Sequence, residues 1–151
     1  MADVVTPEVR SRMMSGIRSK NTRPELILRS GLHKAGFRFR LHEKSLPGKP
    51  DLVFRKYNAV VFVHGCFWHG HNCHLFKLPS TRRDFWTAKI LRNREVDEKA
   101  LSDLTTLGMR VGVVWECALK GRSRRPVPEI VSAFTFWLRS TQQGLEIRGT
   151  E

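Results

Sequence analysis

Residues 50–74 read PDLVFRKYNAVVFVHGCFWHGHNCH, and the two halves of this stretch obey different rules. Leu52-Val53-Phe54 is a short apolar run opened by Pro50-Asp51, and Tyr57-Asn58 turns the chain. Ala59 to Val63 shows no polar alternation, so it reads as a strand buried on both faces. Two such strands joined by a short turn make a hairpin. If they run antiparallel, Asp51 and the Val63-His64 junction lie at the same edge of the sheet. From Val60 to His74 the composition changes, with four of the chain's six histidines, two of its three cysteines and the pair Phe67-Trp68. Core packing alone rarely concentrates residues that bind metals, move protons and stack on bases.

Upstream, Thr6-Pro7-Glu8 predicts a helix start, followed by a basic arm through Arg10, Arg12, Arg18 and Lys20 that occupies residues 1–21. Met13 and Met14 either dock this arm on the core or present an apolar wedge to DNA. Thr22-Arg23-Pro24-Glu25 has the spacing of a capping box, and Leu26, Ile27, Leu28 and Leu32 give the helix a buried side before Gly36. Phe37, Phe39 and Leu41 alternate with Arg38, Arg40 and His42, which predicts a strand with one basic face.

Downstream, Thr81 and Asp84 start a long helix reaching about Leu107. Trp86, Ile90, Asn93, Asp97, Leu101 and Leu104 share one of its faces. The polar pair in that stripe must be hydrogen-bonded or face a site, since leaving a buried polar group unpaired costs roughly 1–3 kcal/mol. Met109 to Trp115 predicts another buried strand, Arg122 to Arg125 a basic turn, and Pro128 a last helix with Ile130, Phe134, Trp137 and Leu138 inward. The expected architecture is a single α/β domain with a central mixed β-sheet flanked by helices. Its expected bounds are 22–140, with 141–151 a frayed tail.

At 151 residues the chain is long enough to bury about two thirds of its unfolded surface. Lys and Arg total 27 against 14 acidic residues, a formal charge of +13, and residues 1–58 carry 13 basic and 5 acidic side chains, +8 of that total. Basic residues interleaved with Trp and Phe point to nucleic acid rather than to a membrane surface. No apolar run approaches a membrane span of about 18 residues, and MADVVTPEVR has no signal-peptide core. These features point to a cytosolic protein. Three cysteines beside histidines in a reducing compartment favour metal over disulfides.

Cys66, Cys73 and the distant Cys117 offer zinc three thiolates, and His69, His71 or His74 can supply the fourth ligand. Free buried thiols are the alternative. Four protein ligands would make the site structural, freezing the loop so that Phe67 and Trp68 face outward as stacking groups instead of packing inward. Separately, Asp51, His64, His69 and Asp97, with Glu25 as an outer member, have what phosphodiester hydrolysis needs. A carboxylate such as Asp51 suits Mg²⁺, and a histidine oriented by a carboxylate, His69 by Asp97, suits a base near neutral pH. Glu25 also has the capping explanation.

Taken together, SLPGKPD before the first strand, VFVHGCFWHGHNCH, LP-x-TR-x-x-FW with N-x-x-x-D in the long helix, and VVWECAL-x-G resemble the very short patch repair endonucleases, bacterial enzymes that nick DNA beside T:G mismatches. The resemblance covers roughly Pro7 to Gly121. It implies a restriction-endonuclease-like core of the PD-(D/E)xK type, with Pro50-Asp51 as the half-motif and no E-x-K. It implies that Asp51 and the main-chain carbonyl of Val63 hold Mg²⁺, that His69 activates water, that His64 assists at the scissile phosphate, and that Asp97 and Glu25 support them. It assigns Cys66, His71, Cys73 and Cys117 to structural zinc. It further implies that Phe67, Trp68 and Trp86 intercalate from the major groove and Met14 from the minor, that Lys89 and Asn93 read the mismatched bases, and that the basic arm clamps the opposite groove. Val63 departs from a family position that can carry a hydroxyl, and the loop varies at Gly70 and Asn72.

The expected function is Mg²⁺-dependent nicking 5′ of the T in a T:G mismatch left by 5-methylcytosine deamination, in a CT(A/T)GG-type context. The expected partner is mismatched duplex DNA, with the enzyme a monomer that joins the nucleoid when bound to DNA; a cytosine methyltransferase and general mismatch-repair proteins are partners that only the resemblance implies. The rival readings are a restriction or homing-type nuclease making double-strand breaks, and a non-catalytic zinc-stabilised DNA-binding module.

Overall fold

The computed structural model describes residues 21–150, so the N-terminal arm and Met14 lie outside the described residues. Helix α1 (Arg23–Lys34) begins where the sequence expects, with Thr22 Oγ1 accepting the Glu25 N–H at 3.4 Å. Glu25 does not complete a reciprocal capping box: its Oε1 accepts the main-chain N–H of Asn21, one residue earlier. Past the helix, strand β1 shrinks to Arg40–Leu41, while Phe37 and Phe39 still pack into the core. The longer strand predicted there ends at His42, whose φ of 51° breaks the extended chain.

The hairpin forms as read. β2 (Leu52–Phe54) turns through a 3₁₀ segment, Arg55–Tyr57, and left-handed Asn58 into β3 (Ala59–His64). Their antiparallel register sets Leu52 opposite Val61 and Phe54 opposite Ala59. Helix α2 (Arg83–Thr106) then crosses to β4 (Arg110–Trp115), which lies parallel to β3. A short α3 (Glu116–Leu119) and α4 (Val127–Arg139) lead to β5 (Gly144–Ile147), parallel to β4. The result is a mixed five-stranded sheet in the order β1-β2-β3-β4-β5.

Strand periodicity divides the core. Leu52, Phe54, Ala59, Val61 and Val114 face α1 and α4, where Leu28, Leu32, Ile130, Phe134, Trp137 and Leu138 form the larger cluster. Val53, Val60, Phe62 and Val111 face α2 and Leu104. The α2 side is thinner. Its stripe holds Ile90, Ala100 and Leu104, whereas Leu101, expected inside, is 50% exposed and Ala100 takes the inward position.

Of the expected tail, 141–151, the described residues 141–150 are tied to the fold rather than frayed through their length. Beyond β5, the Gly149 N–H donates to Cys117 Sγ at 3.2 Å, Thr150 N–H donates to the Ser123 carbonyl, and Arg125 Nε donates to the Arg148 carbonyl. These are main-chain attachments that a hydropathy pattern does not record. A Cβ at Gly149 would lie 2.8 Å from the Cys117 carbonyl oxygen and 2.9 Å from that of Ser123. Gly149→Ala should therefore lower the unfolding free energy by about 1–3 kcal/mol, read from urea denaturation. A loose tail would make the change neutral.

Candidate functional site

Asp51 reaches the site because the hairpin carries it there. Its N–H donates to the Val61 carbonyl, and its Oδ2 accepts the Val63 N–H at 2.7 Å. Burial pushes its carboxyl up to about 7; the Val63 hydrogen bond opposes this, and the nearby Glu25 adds to it. Glu25 is only 1% exposed, and its Oε2 meets Arg29 at 2.9 Å and His42 Nε2 at 2.8 Å. Glu25, His42 and Asp51 each offer one donor atom within 4.8 Å of the others. His42 and Arg29 are additions to the predicted set. The alternation of residues 37–42 hides His42, because it is the break in that strand that turns its ring toward Glu25.

The second cluster is His64, His69 and Asp97. His69 Nδ1 meets Asp97 Oδ2 at 2.5 Å, joining the loop to α2. The rings of His64 and His69 stack at 4.0 Å with 12° between planes. Burial, and then the neighbouring His69, push His64 down to about 3, so it is neutral near pH 7. A cleft of about 1130 Å³ is lined by Asp51, Val63, His64, His69 and Asp97, and the rest of its charged lining is mixed, with Lys44, Lys49, Arg94 and Arg148 alongside Glu98 and Glu146. Asp51, His64, His69 and Asp97, proposed from sequence, thus converge on one opening, with Glu25 beside Asp51 but outside that lining.

Cys66, His71, Cys73 and Cys117 form a third cluster. Both Cys66 Sγ and Cys117 Sγ lie 3.6 Å from His71 Nδ1. A tetrahedral zinc with Zn–S near 2.3 Å and Zn–N near 2.0–2.1 Å requires an S···N edge of about 3.5–3.6 Å, so the spacing fits the ion. Burial pushes the thiols of Cys66 and Cys117 up, so holding thiolates here calls for a cation. The other two candidate ligands are elsewhere: His69 is on Asp97, and His74 Nδ1 is 3.3 Å from Ser123 Oγ.

Phe67, Trp68 and Trp86 meet edge to face at 5.2, 5.4 and 5.8 Å and stay half-exposed. Helix α2 holds their loop from behind. Asn93 Nδ2 donates to the Trp68 carbonyl at 2.8 Å, and Arg94 Nη2 donates to that of Gly70 at 3.1 Å. Gly70, at φ 62°, lets Ile90 approach where a Cβ would lie 2.7 Å from its Cγ2. Asn93 and Asp97, the polar pair of the α2 stripe, are therefore both hydrogen-bonded. Lys89 is exposed on the same helix.

Residues 2–75 match the family described as DNA mismatch endonuclease Vsr. The chain is 53% identical over 119 residues to the type II nicking enzyme V.XorIIP of Xanthomonas oryzae pv. oryzae, covering 79% of this chain and 88% of that protein. It is 45% identical over 138 residues to the DNA mismatch endonuclease Vsr of Escherichia coli, 91% of this chain and 88% of the relative. A type II nicking enzyme of Neisseria meningitidis serogroup A, V.NmeAIP, is 46% identical over 123 residues, 82% and 88% of the two chains. With relatives of this similarity spanning most of its length, the chain belongs to the Vsr family of DNA mismatch endonucleases.

Proposed function

We propose that this strand-nicking DNA mismatch endonuclease cuts 5′ of the T in a T:G mismatch arising from 5-methylcytosine deamination, in a CT(A/T)GG-type context. The observation that carries the reading is the convergence of Asp51 and the His69–Asp97 pair in one cleft beside the half-exposed Phe67-Trp68-Trp86 cluster. Because Asp97 occupies His69 Nδ1, Nε2 is the nitrogen left to take a proton from the attacking water. Neutral His64, stacked on His69, faces the scissile phosphate, and Glu25, itself paired with Arg29, keeps His42 in place beside Asp51.

Asp51 and the Val63 carbonyl would hold Mg²⁺. A buried carboxylate whose ionisation is disfavoured by burial is a fitting oxygen donor for a hard cation. When bound, the ion supplies positive charge against the charge that grows on the phosphate in the transition state. Cys66, His71, Cys73 and Cys117 would hold a structural zinc, in keeping with the 3.6 Å spacing of their donor atoms. Pro50-Asp51 on the hairpin supports a restriction-endonuclease-like PD-(D/E)xK core without its E-x-K half.

The aromatic cluster would enter the base stack at the weakened wobble pair, where unstacking is least costly. Lys89 and Asn93 would read the bases, with Asn93 also holding the Trp68 carbonyl. The arm of residues 1–21, with Met14, would take the opposite groove. Among the described residues no helix is long and apolar enough to cross a membrane. We place the monomeric enzyme in the bacterial cytoplasm, on the nucleoid when bound, beside a cytosine methyltransferase and general mismatch-repair proteins.

A nicking assay on labelled duplexes with T:G, C:G or T:A at one position should show cleavage only of T:G, and only without EDTA. Equal cleavage of paired duplexes would refute mismatch specificity, and activity in EDTA would refute the Mg²⁺ role. His69→Ala should slow single-turnover nicking by about 10²–10⁴-fold, and Asp51→Ala should lose nicking while still binding mismatched DNA. Metal analysis should find about one zinc per chain. Cys73→Ser should lose it together with recognition and cleavage, whereas Trp68→Ala should keep the zinc and weaken binding to the mismatch.

A further inference from the structure

Trp115 closes β4 and forms part of the cleft wall. The His71 ring lies flat on its indole, with centroids 4.0 Å apart and 8° between planes. His64 meets the same indole edge-on at 5.2 Å and 68°, and His69 meets it at 6.3 Å and 75°. One side chain therefore lies between an imidazole of the thiolate cluster and both imidazoles of the His64–His69–Asp97 cluster. None of the readings above uses it.

The indole is fixed by its neighbours along the strand. His64 and Trp115 are register partners at the ends of β3 and β4. The next residue, Glu116, accepts the Cys66 N–H on Oε1 at 3.1 Å, and the one after that is Cys117. Trp115 Nε1 is buried and has no hydrogen-bond partner among the described residues, and the same holds for His64 Nδ1. No hydrogen bond at either of these two nitrogens sets its ring, whereas ring contacts surround both. Such contacts set angle and spacing, because aromatic pairs prefer offset and edge-to-face arrangements.

We infer that Trp115 is a positioning residue through which the Cys66–His71–Cys73–Cys117 centre orients the His64–His69 pair for strand cleavage. The inference rests on the roles proposed for those two histidines. Remove the indole, and His71 can stay with its thiolates while the stacked pair loses the wall that sets its angle to the phosphate.

The test compares Trp115→Leu with Trp115→Phe in the full chain. Its readouts are zinc per chain, Kd for a T:G duplex, single-turnover nicking rate, and the ¹H–¹⁵N signals of the His64, His69 and His71 rings. Trp115→Leu should keep zinc and Kd, shift the signals of all three rings, and nick about a hundredfold more slowly, the usual scale for a misplacement of about 1 Å. Trp115→Phe, which keeps a flat ring without the N–H, should recover most of the rate. Unchanged nicking in Trp115→Leu overturns the inference. So does a rate that falls only in step with lost zinc and lost duplex binding, a Phe variant no better than Leu, or His64 and His69 signals that do not move. His69→Ala separates the two levels: a variant that still nicks defeats the role of His69, while the ring signals of the Trp115 variants still judge the coupling.

Discussion

The pairing of Leu52 with Val61 is the constraint from which the rest of the site follows. Side chains alternate across a sheet, so this register sends Leu52, Phe54, Ala59 and Val61 toward α1 and α4, and Val53, Val60 and Phe62 toward α2. A slip of one residue would exchange the two sets. Asp51 directly precedes the paired segment, and the same register puts its N–H on the Val61 carbonyl and its carboxylate on the Val63 N–H. Hydrophobic burial in the strands thereby positions a carboxylate that burial alone would disfavour.

The loop after β3 distributes three kinds of contact over a few residues. His64 and His69 turn to the cleft, Cys66, His71 and Cys73 turn to Cys117, and Phe67 and Trp68 turn to Trp86. The loop is wound into turns by its own backbone, with the His69 N–H on the Gly65 carbonyl and the His71 N–H on the Cys66 carbonyl. Helix α2 ties these turns to the fold by holding the carbonyls of Trp68 and Gly70 and the imidazole of His69. These contacts fall at Asn93, Arg94 and Asp97, midway along a helix with little buried apolar surface. Much of its packing face is spent on the loop.

Features set by local rules were legible in the sequence. The Thr22 cap, the hairpin, the span of α2 and the concentration of cysteine and histidine each leave a mark within a few residues of where they act. Features set by distant partners were not. β5 has only four residues, two of them apolar, and is a strand because β4 offers an edge to pair with. His42 joins Glu25 only because its own backbone leaves the strand. Arg148, two hydrogen bonds from Asn72, reads as one more basic residue near the end of a basic chain. The choice of His71 over His69 and His74 is likewise spatial: Asp97 and Ser123, far along the chain, engage the other two.

The hydrogen bond from Gly149 to Cys117 has a bearing on biosynthesis. Cys66, His71 and Cys73 emerge from the ribosome well before Cys117, and Cys117 well before the strand and glycine that finish its surroundings. A chain made only as far as the loop holds three of the four donors, and the fourth comes with β4, which lies parallel to β3. The four donors can therefore meet only after α2 and β4 have been made, and Gly149, beyond β5, reaches Cys117 later still.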